Sequence, residues 1–162
     1  MQMKVKCTGE KPSYADKYAA GLDLRTNESV IIYPKENIIK KIKKIVNKIL
    51  GKEVEQLLNI VDIKSQLAME IPEGYFGMIV ARSGLSFKYQ IKLINDVGIV
   101  DSNFRGDIGI RLINEGKELY TIEKGDRVAQ MILIPYIQPV LAYVYELSET
   151  DRGTNGFGST GK

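Results

Sequence analysis

Short apolar runs, separated by turn-forming residues, make up most of the 162-residue chain. Residues 30–33, 76–80, 108–113 and 128–134 are rich in β-branched and other apolar side chains, which is typical of strands. A fifth run, residues 140–145, comes after a proline and predicts a late strand. Glycine, proline, asparagine and aspartate occupy the positions between the runs. Strands this short predict an all-β fold, a sandwich or a barrel, rather than alternating βαβ units.

A helical period interrupts this pattern once. From Ile38 onward, apolar residues recur at i, i+4, i+7 and i+11, and lysines fill most of the other positions. This spacing predicts an amphipathic helix that ends at Gly51, and residues 53–59 predict a second short helical turn. The sequence has no internal repeat. We therefore expect one domain over residues 1–162, with a helical insertion at about residues 38–58.

Composition narrows the chemistry. The chain has no histidine and one cysteine, which excludes Ser-His-Asp and Cys-His catalysis, histidine-ligated metals and an internal disulfide. We find no signal peptide and no apolar stretch of bilayer length, and we expect a cytoplasmic protein without membrane attachment. The net charge of +3 is too small to indicate nucleic-acid binding. Its excess lies between residues 35 and 64, where there are eight lysines and four acidic residues.

Two segments have the donors that phosphate groups require. Arg82-Ser83-Gly84 combines a guanidinium, a hydroxyl and an unhindered backbone amide, although the same tripeptide also fits an ordinary turn after a strand. Residues 151–162 lose apolar content and become rich in glycine, serine and threonine. This segment is either a disordered tail or a loop that closes over a nucleotide, with its aromatic ring on the base and its arginine and hydroxyls on phosphates.

A predicted hairpin offers a base-reading and a proton-accepting group. Within residues 95–107 two apolar-containing runs flank Gly98, and a hairpin there brings Asn95 and Asp101 near one mouth. The Asn95 amide provides both a donor and an acceptor, the complement of a pyrimidine edge. Because the chain has no histidine, Asp101 is the leading candidate for a general base that deprotonates water.

Five short segments follow one another along the chain in this order: Ala20-Gly21-Leu22-Asp23-Leu24, Arg82-Ser83-Gly84-Leu85, Gly98-Ile99-Val100-Asp101 with Arg105-Gly106, Gly125-Asp126-Arg127-Val128-Ala129-Gln130, and Arg152-Gly153 with Gly156-Phe157-Gly158-Ser159-Thr160-Gly161. Together they resemble the five ordered motifs of the trimeric dUTPases. The similarity covers nearly the whole chain outside the lysine-rich segment. Five motifs in order are far more specific than any one of them.

The resemblance implies a fold, an assembly and a reaction. The fold is all-β, a distorted β-barrel or jelly roll, and three subunits form a homotrimer with active sites at the interfaces. The reaction is hydrolysis of dUTP to dUMP and pyrophosphate, which limits uracil incorporation into DNA and supplies dUMP for dTTP synthesis. Mg²⁺ is the implied cofactor, and the triphosphate would hold most of it.

The resemblance also assigns the nucleoside contacts. Asp101 matches the aspartate that activates the attacking water, and Asn95 matches the asparagine that reads uracil. The hairpin backbone at Gly98 and Val100 would supply further contacts. Phe104 occupies the place of a tyrosine whose ring packs on the deoxyribose, so the ring is kept and the phenol hydroxyl is lost.

The remaining assignments concern the phosphates and the metal. The residues that match contacts to the α- and β-phosphates are Arg82, Ser83, Gly84 and Gln130. Those that match the closing tail are Arg152, Phe157, Gly158, Ser159 and Thr160. Asp23 matches a motif-one aspartate with an outer-shell metal role, and a buried ion pair with a neighbouring arginine is the alternative for this residue.

The insertion departs from the family, whose connection between motifs one and two is shorter. We expect its isoleucine face to pack on the rest of the subunit or on a neighbouring subunit. Docking of a partner protein and binding to a membrane surface are the alternatives. Two other functions are also open: a dUTP-binding regulator that acts through the inserted helix, and a relative of the dCTP deaminases, which lack the glycine-rich tail motif.

Overall fold

The computed structural model describes residues 2–35 and 59–156. The predicted helix of the insertion and the tail from Phe157 onward lie outside these residues. The described part contains twelve strands and one helix: β1 (Lys4–Cys7), β2 (Ser13–Tyr14), β3 (Leu22–Arg25), β4 (Val30–Ile32), β5 (Ile60–Lys64), β6 (Leu67–Glu70), β7 (Tyr75–Ala81), α1 (Ser83–Tyr89), β8 (Ile91–Leu93), β9 (Val97–Val100), β10 (Gly109–Asn114), β11 (Tyr120–Ile122) and β12 (Arg127–Pro135).

The strands pair in an antiparallel manner and form four sheets within these two ranges. The largest has the order β2-β3-β12-β7-β9, and the others have the orders β5-β10-β8, β1-β6 and β11-β4. The all-β prediction is confirmed, as are the strands expected within residues 30–33, 76–80, 108–113 and 128–134. In the described part the sheets remain separate and do not close into a single barrel.

One hydrophobic core lies between the sheets. Along β10 the side chains alternate between exposed and buried, so that Ile110 and Leu112 face inward. They pack in the same cluster as Leu24 of β3 and Met131 of β12. The two larger sheets therefore contribute inward faces to one core, and the period of two in the sequence is the cause.

The short helix α1 was not predicted from the sequence. It begins after Arg82, which is extended and makes no side-chain cap, and it ends at Gln90, which is left-handed with φ 57°. Its one buried side chain is Leu85. Seven residues with a single inward position are too short to show a helical period. Among the described residues, no helix is long and apolar enough to cross a membrane.

The strand predicted at residues 140–145 is wrong. After Pro135 the chain forms no strand up to residue 156, and the apolar side chains there point into solvent. Val140 is 98% exposed and Tyr143 is 93% exposed. A β-branched run becomes a strand only when a neighbouring strand accepts its hydrogen bonds, and none of the described strands pairs with this segment.

Asn114 joins two sheets at the end of β10, and its removal should destabilise the fold. It is fully buried, donates to the carbonyls of Ile32 and Glu118 at 3.2 and 2.9 Å, and accepts from the Gly116 amide at 2.8 Å. Asn114→Ala leaves these buried partners without their hydrogen bonds. We therefore expect a loss of about 2–3 kcal/mol in the free energy of unfolding, measured by urea denaturation.

Glu118→Ala provides the control, because it changes an exposed side chain of the same turn and keeps the carbonyl that Asn114 uses. We expect its effect to stay within about 0.5 kcal/mol. Equal effects of the two substitutions would show that the Asn114 hydrogen bonds contribute nothing specific.

Candidate active site

A buried carboxylate organises one half of the site. Asp23 is 1% exposed and accepts three hydrogen bonds: from Arg82 Nε at 2.9 Å, Arg127 Nη1 at 3.2 Å and Gln130 Nε2 at 3.1 Å. The ion pair expected for Asp23 is present, and it involves two arginines. Burial of a charge is costly unless partners of this kind surround it.

Strand register brings these groups together. Asp23 on β3 lies directly opposite Gln130 on β12, and Gln130 lies opposite Val80 on β7. Directly paired residues share one face of a sheet, so Asp23 and Gln130 meet side by side. Gly21 allows this contact, because a Cβ at that position would lie only 3.0 Å from the Gln130 Cδ.

The cluster favours an anion beside it. Two guanidinium groups surround one carboxylate, which leaves one positive charge in excess, and the side chains of Arg82 and Arg127 are 23% and 41% exposed. Ser83 and Gly84 follow Arg82 as the first residues of α1, where backbone N–H groups have no partner in the helix. The predicted phosphate contacts Arg82, Ser83, Gly84 and Gln130 thus lie near one another, at the end of β7 and on β12.

The predicted nucleoside contacts line a separate cavity. Its volume is about 240 Å³, and its lining includes Asn95, Gly98, Val100, Asp101 and Phe104. The hairpin expected around Gly98 is wrong: Gly98 lies within β9, which pairs with β7, whereas the preceding strand β8 pairs with β10. A Cβ at Gly98 would lie 3.2 Å from the Ile79 Cβ, so β9 lies close against β7. The predicted nucleoside residues still meet in one small space, because β9 and the turns on either side of it carry them.

Two side-chain hydrogen bonds constrain the turn that carries Asn95. Asn95 Nδ2 donates to the Val97 carbonyl at 3.0 Å, which leaves the side-chain oxygen and one amide hydrogen for a ligand. The next residue, Asp96, is left-handed with φ 56° and accepts a hydrogen bond from Lys92 at 2.8 Å. That hydrogen bond raises the pKa of Lys92. The side chain that would read a base is thus presented by a constrained turn.

The two halves of the site are far apart within one chain. Val100 pairs with Gly77, so the next residue, Asp101, leaves β9 at about the level of Phe76. Arg82 lies beyond the other end of β7, six residues further along. At about 3.3 Å per residue the two levels differ by about 20 Å, and the Arg82 side chain is already bound to Asp23. The structure does not bring Arg82 and Asp101 together in a single subunit.

The predicted tail contacts are only partly described. Arg152 is exposed, and its Nε donates to the carbonyl of Asn155, three residues further along, at 3.1 Å. Phe157, Gly158, Ser159 and Thr160 lie outside the described residues. Their roles in closing over a nucleotide stay predictions.

Sequence reasoning missed three residues near the nucleoside cavity. Asp107 lines it, Arg105 donates to carbonyls of the turn that follows Asp101, and Gly106 lies against the Phe104 ring. Arg105 and Gly106 belong to the third of the five motifs, but the sequence alone does not show which groups these two residues contact. Only the folded turn shows what they touch.

Comparison with known proteins places this geometry in a family. The profile of the dUTPase family matches residues 56–161. The chain belongs to the dUTPase family. It is 39% identical to a deoxyuridine 5'-triphosphate nucleotidohydrolase of Nautilia profundicola over all of both chains. It is also 39% identical to the enzyme of that name from Zymomonas mobilis subsp. mobilis, over 93% of this chain and 87% of the other.

The dUTPase fold is also found in the solved structures. A point mutant of the dUTPase of Staphylococcus bacteriophage 80alpha, in a structure with dUpNHpp, superposes with a TM-score of 0.77 at 26% identity, and the match covers 99% of each chain. The jelly-roll type of fold expected for this dUTPase family member is confirmed.

The residues present fit a magnesium ion that the substrate carries. Within the described ranges no three His, Cys, Asp or Glu side chains cluster as ligands for a metal ion. Asp23 Oδ1 already accepts two hydrogen bonds and Oδ2 accepts one, which leaves Oδ2 able to accept from a metal-bound water. Mg²⁺ keeps several waters and uses phosphates readily, so this donor set fits an outer-shell role and not a direct ligand.

Substitution of the buried carboxylate should destabilise the dUTPase fold. Asp23→Asn keeps the shape but removes the charge that two arginines surround, and it places an amide donor against donors. We expect the free energy of unfolding to fall by about 2–4 kcal/mol, less than for a fully enclosed pair because both arginines are partly exposed. Urea denaturation at fixed protein concentration measures this loss.

Asp62→Asn is the matched control. Asp62 pairs with Arg111 on the surface, with both side chains more than half exposed, so we expect a loss below about 1 kcal/mol. The hydrogen bond from Arg111 lowers the pKa of Asp62, so the small contribution is present near neutral pH and disappears on acidification. A loss for Asp23→Asn no larger than that of the control would contradict the central role of Asp23.

Proposed function

We propose that this chain hydrolyses dUTP to dUMP and pyrophosphate. The observation that carries the proposal is the cavity that collects Asn95, Asp101 and Phe104, a pyrimidine-reading amide, a carboxylate and a ring, from the turns on either side of β9. The named relatives are deoxyuridine 5'-triphosphate nucleotidohydrolases, and this favours hydrolysis over the deaminase and regulatory alternatives. By this reaction the protein would limit uracil incorporation into DNA and supply dUMP for dTTP synthesis.

Asp101 acts as the general base. Its carboxylate takes a proton from a water molecule, and the water oxygen forms a bond with the α-phosphorus. The bond from the α-phosphorus to the oxygen that bridges to the β-phosphorus breaks, and pyrophosphate leaves with that oxygen. A carboxylate is suited to this role because it can orient water and accept its proton in one place. With no histidine in the chain, no imidazole base competes for this role.

Strand β9 and the turns on either side of it select the nucleoside. The Asn95 oxygen and its remaining amide hydrogen complement the uracil edge, and backbone groups at Gly98 and Val100 complete the contacts. The close approach of Gly98 to Ile79 leaves little room for the 5-methyl group of thymine. The Phe104 ring packs on the deoxyribose and occupies the space that a 2′-hydroxyl would need.

The Asp23 cluster binds the phosphates. Arg82, Gln130 and the first amides of α1 donate to phosphate oxygens, and the excess positive charge stabilises the charge that develops during hydrolysis. Because Asp23 already orients these donors, they need little rearrangement during the reaction. Arg152 and the tail residues Phe157, Gly158, Ser159 and Thr160 would cover the base and the γ-phosphate.

Mg²⁺ belongs to the same proposal. The triphosphate would hold the ion, and the Asp23 Oδ2 atom would accept a hydrogen bond from one of its waters. When bound, the ion neutralises part of the triphosphate charge and so favours departure of pyrophosphate. Asp23 in turn keeps its two arginines directed at the phosphates.

The assembly we propose is a homotrimer with active sites shared between subunits. Arg82 and Asp101 lie at levels about 20 Å apart along β7 in one chain, which is too far for both to act on one α-phosphate. A second copy would supply the missing half. The exposed apolar side chains after β12 support assembly, because Ile137, Val140, Tyr143 and Tyr145 are each more than 90% exposed within the described chain.

Pyrophosphate release from dUTP in the presence of Mg²⁺ tests the proposed function. We expect release by the parent protein and a fall in kcat of about 10²–10⁴-fold for Asp101→Asn, since this is the usual contribution of a general base. The KM should change little, because Asn keeps the size of the side chain.

Asp62→Asn, an exposed carboxylate outside the nucleoside cavity, serves as the control and should retain the parent rate. Parallel assays with UTP, dCTP and dTTP should give much slower release. Absence of release from dUTP by the parent would overturn the proposed function, and full activity of Asp101→Asn would overturn the assignment of the base.

A further inference from the structure

The Phe104 ring rests on Gly106. A Cβ at Gly106 would lie 2.7 Å from the ring Cζ and 3.1 Å from Cε2, and the three nearest atoms all belong to this ring. Real side chains do not approach below about 3.0 Å, since dispersion gives way to steep repulsion there. A side chain at position 106 would therefore force the ring to move.

Room for the ring explains the glycine, and backbone conformation does not. The described glycines with a left-handed φ are Gly74, Gly125 and Gly153, and Gly106 is not among them. An alanine at position 106 would thus meet no backbone strain of the kind that usually demands glycine. The three atoms that its methyl group would meet first all belong to the Phe104 ring.

The backbone beneath the ring is fixed. The Phe104 amide donates to the Asp101 carbonyl at 3.1 Å, and Arg105 Nη1 donates to the carbonyls of Ser102 and Phe104 at 2.7 and 2.8 Å. These bonds hold the turn between the general base and the ring. A clash at position 106 would therefore be relieved by rotation of the Phe104 side chain, while the Asp101 carboxylate stays in place.

The ring also lacks any polar anchor. Phenylalanine has no hydroxyl, and the side chain is 44% exposed at the rim of the cavity that Asn95 and Asp101 line. Its position depends on contacts with its neighbours alone. Gly106 is one of these contacts.

We propose that Gly106 is a positioning residue for sugar selection: by leaving room for the Phe104 ring, it sets the ring where it accepts deoxyribose and excludes the 2′-hydroxyl. This inference rests on the proposed function, because it takes the cavity to hold the nucleoside of dUTP. Gly106 itself touches no substrate.

Binding of dUpNHpp and of its ribose counterpart measures sugar selection without turnover. For Gly106→Ala we expect the ratio of the two Kd values, determined by calorimetry, to fall about tenfold, because a displaced ring loses contact with deoxyribose and no longer fills the space of the 2′-hydroxyl. Pyrophosphate release should show the same change as a higher KM for dUTP with a nearly unchanged kcat.

The matched background is Phe104→Ala. Once the ring is absent, the atoms nearest to an added Cβ are gone, so Gly106→Ala should have no further effect on the Kd ratio in the double variant. The double variant should also fold if Gly106→Ala alone does not. An equal effect of Gly106→Ala in both backgrounds, or an unchanged ratio in the parent background, would overturn the inference.

The same experiment separates this inference from the proposed function. If the parent binds dUpNHpp more tightly than the ribose counterpart but releases no pyrophosphate from dUTP, the proposed function is wrong. The Kd ratios of the variants then decide the role of Gly106 independently. If the parent binds neither compound, both are overturned.

Discussion

Asp23 places a negative charge inside the five-stranded sheet, and the chain surrounds it with two guanidinium groups and an amide. Arg82 directly precedes α1, and Arg127 and Gln130 lie on β12, so one carboxylate fixes β3, β12 and the junction between β7 and α1 relative to one another. A charge at this depth is tolerated only because its partners are complete. Residues proposed to bind the phosphates are among these partners, so in the proposed function stability and binding depend on one cluster.

The β7–β9 ladder imposes the second constraint. It is a rigid antiparallel pair, and it holds Arg82 and Asp101 at different levels. The residues proposed for the phosphates and those proposed for the nucleoside therefore lie at different levels of one subunit. The proposed trimer, with sites shared between copies, would bring the two sets together and would also cover the exposed apolar segment after β12.

The sequence predicted the features that depend on near neighbours. β7, β10 and β12 are apolar runs between turns, and the proposed nucleoside residues Asn95 to Phe104 lie on β9 and the turns beside it, so their proximity is local. Asp23 is different, because its partners lie 59, 104 and 107 residues away and only strand register brings them together. Residues 140–145 have the composition of a strand but lack a partner in the described chain, and α1 is too short to show a period.

Assembly of two inactive variants tests the shared site most directly. Asp101→Asn lacks the base, and Arg82→Gln lacks the guanidinium while it keeps a donor for Asp23. If each site takes Asp101 from one subunit and Arg82 from another, about a quarter of the sites in equal, randomly mixed trimers contain both native residues. Co-expression of the two should then restore about a quarter of the parent rate of pyrophosphate release from dUTP. A co-assembled mixture no more active than the separate variants would contradict the account.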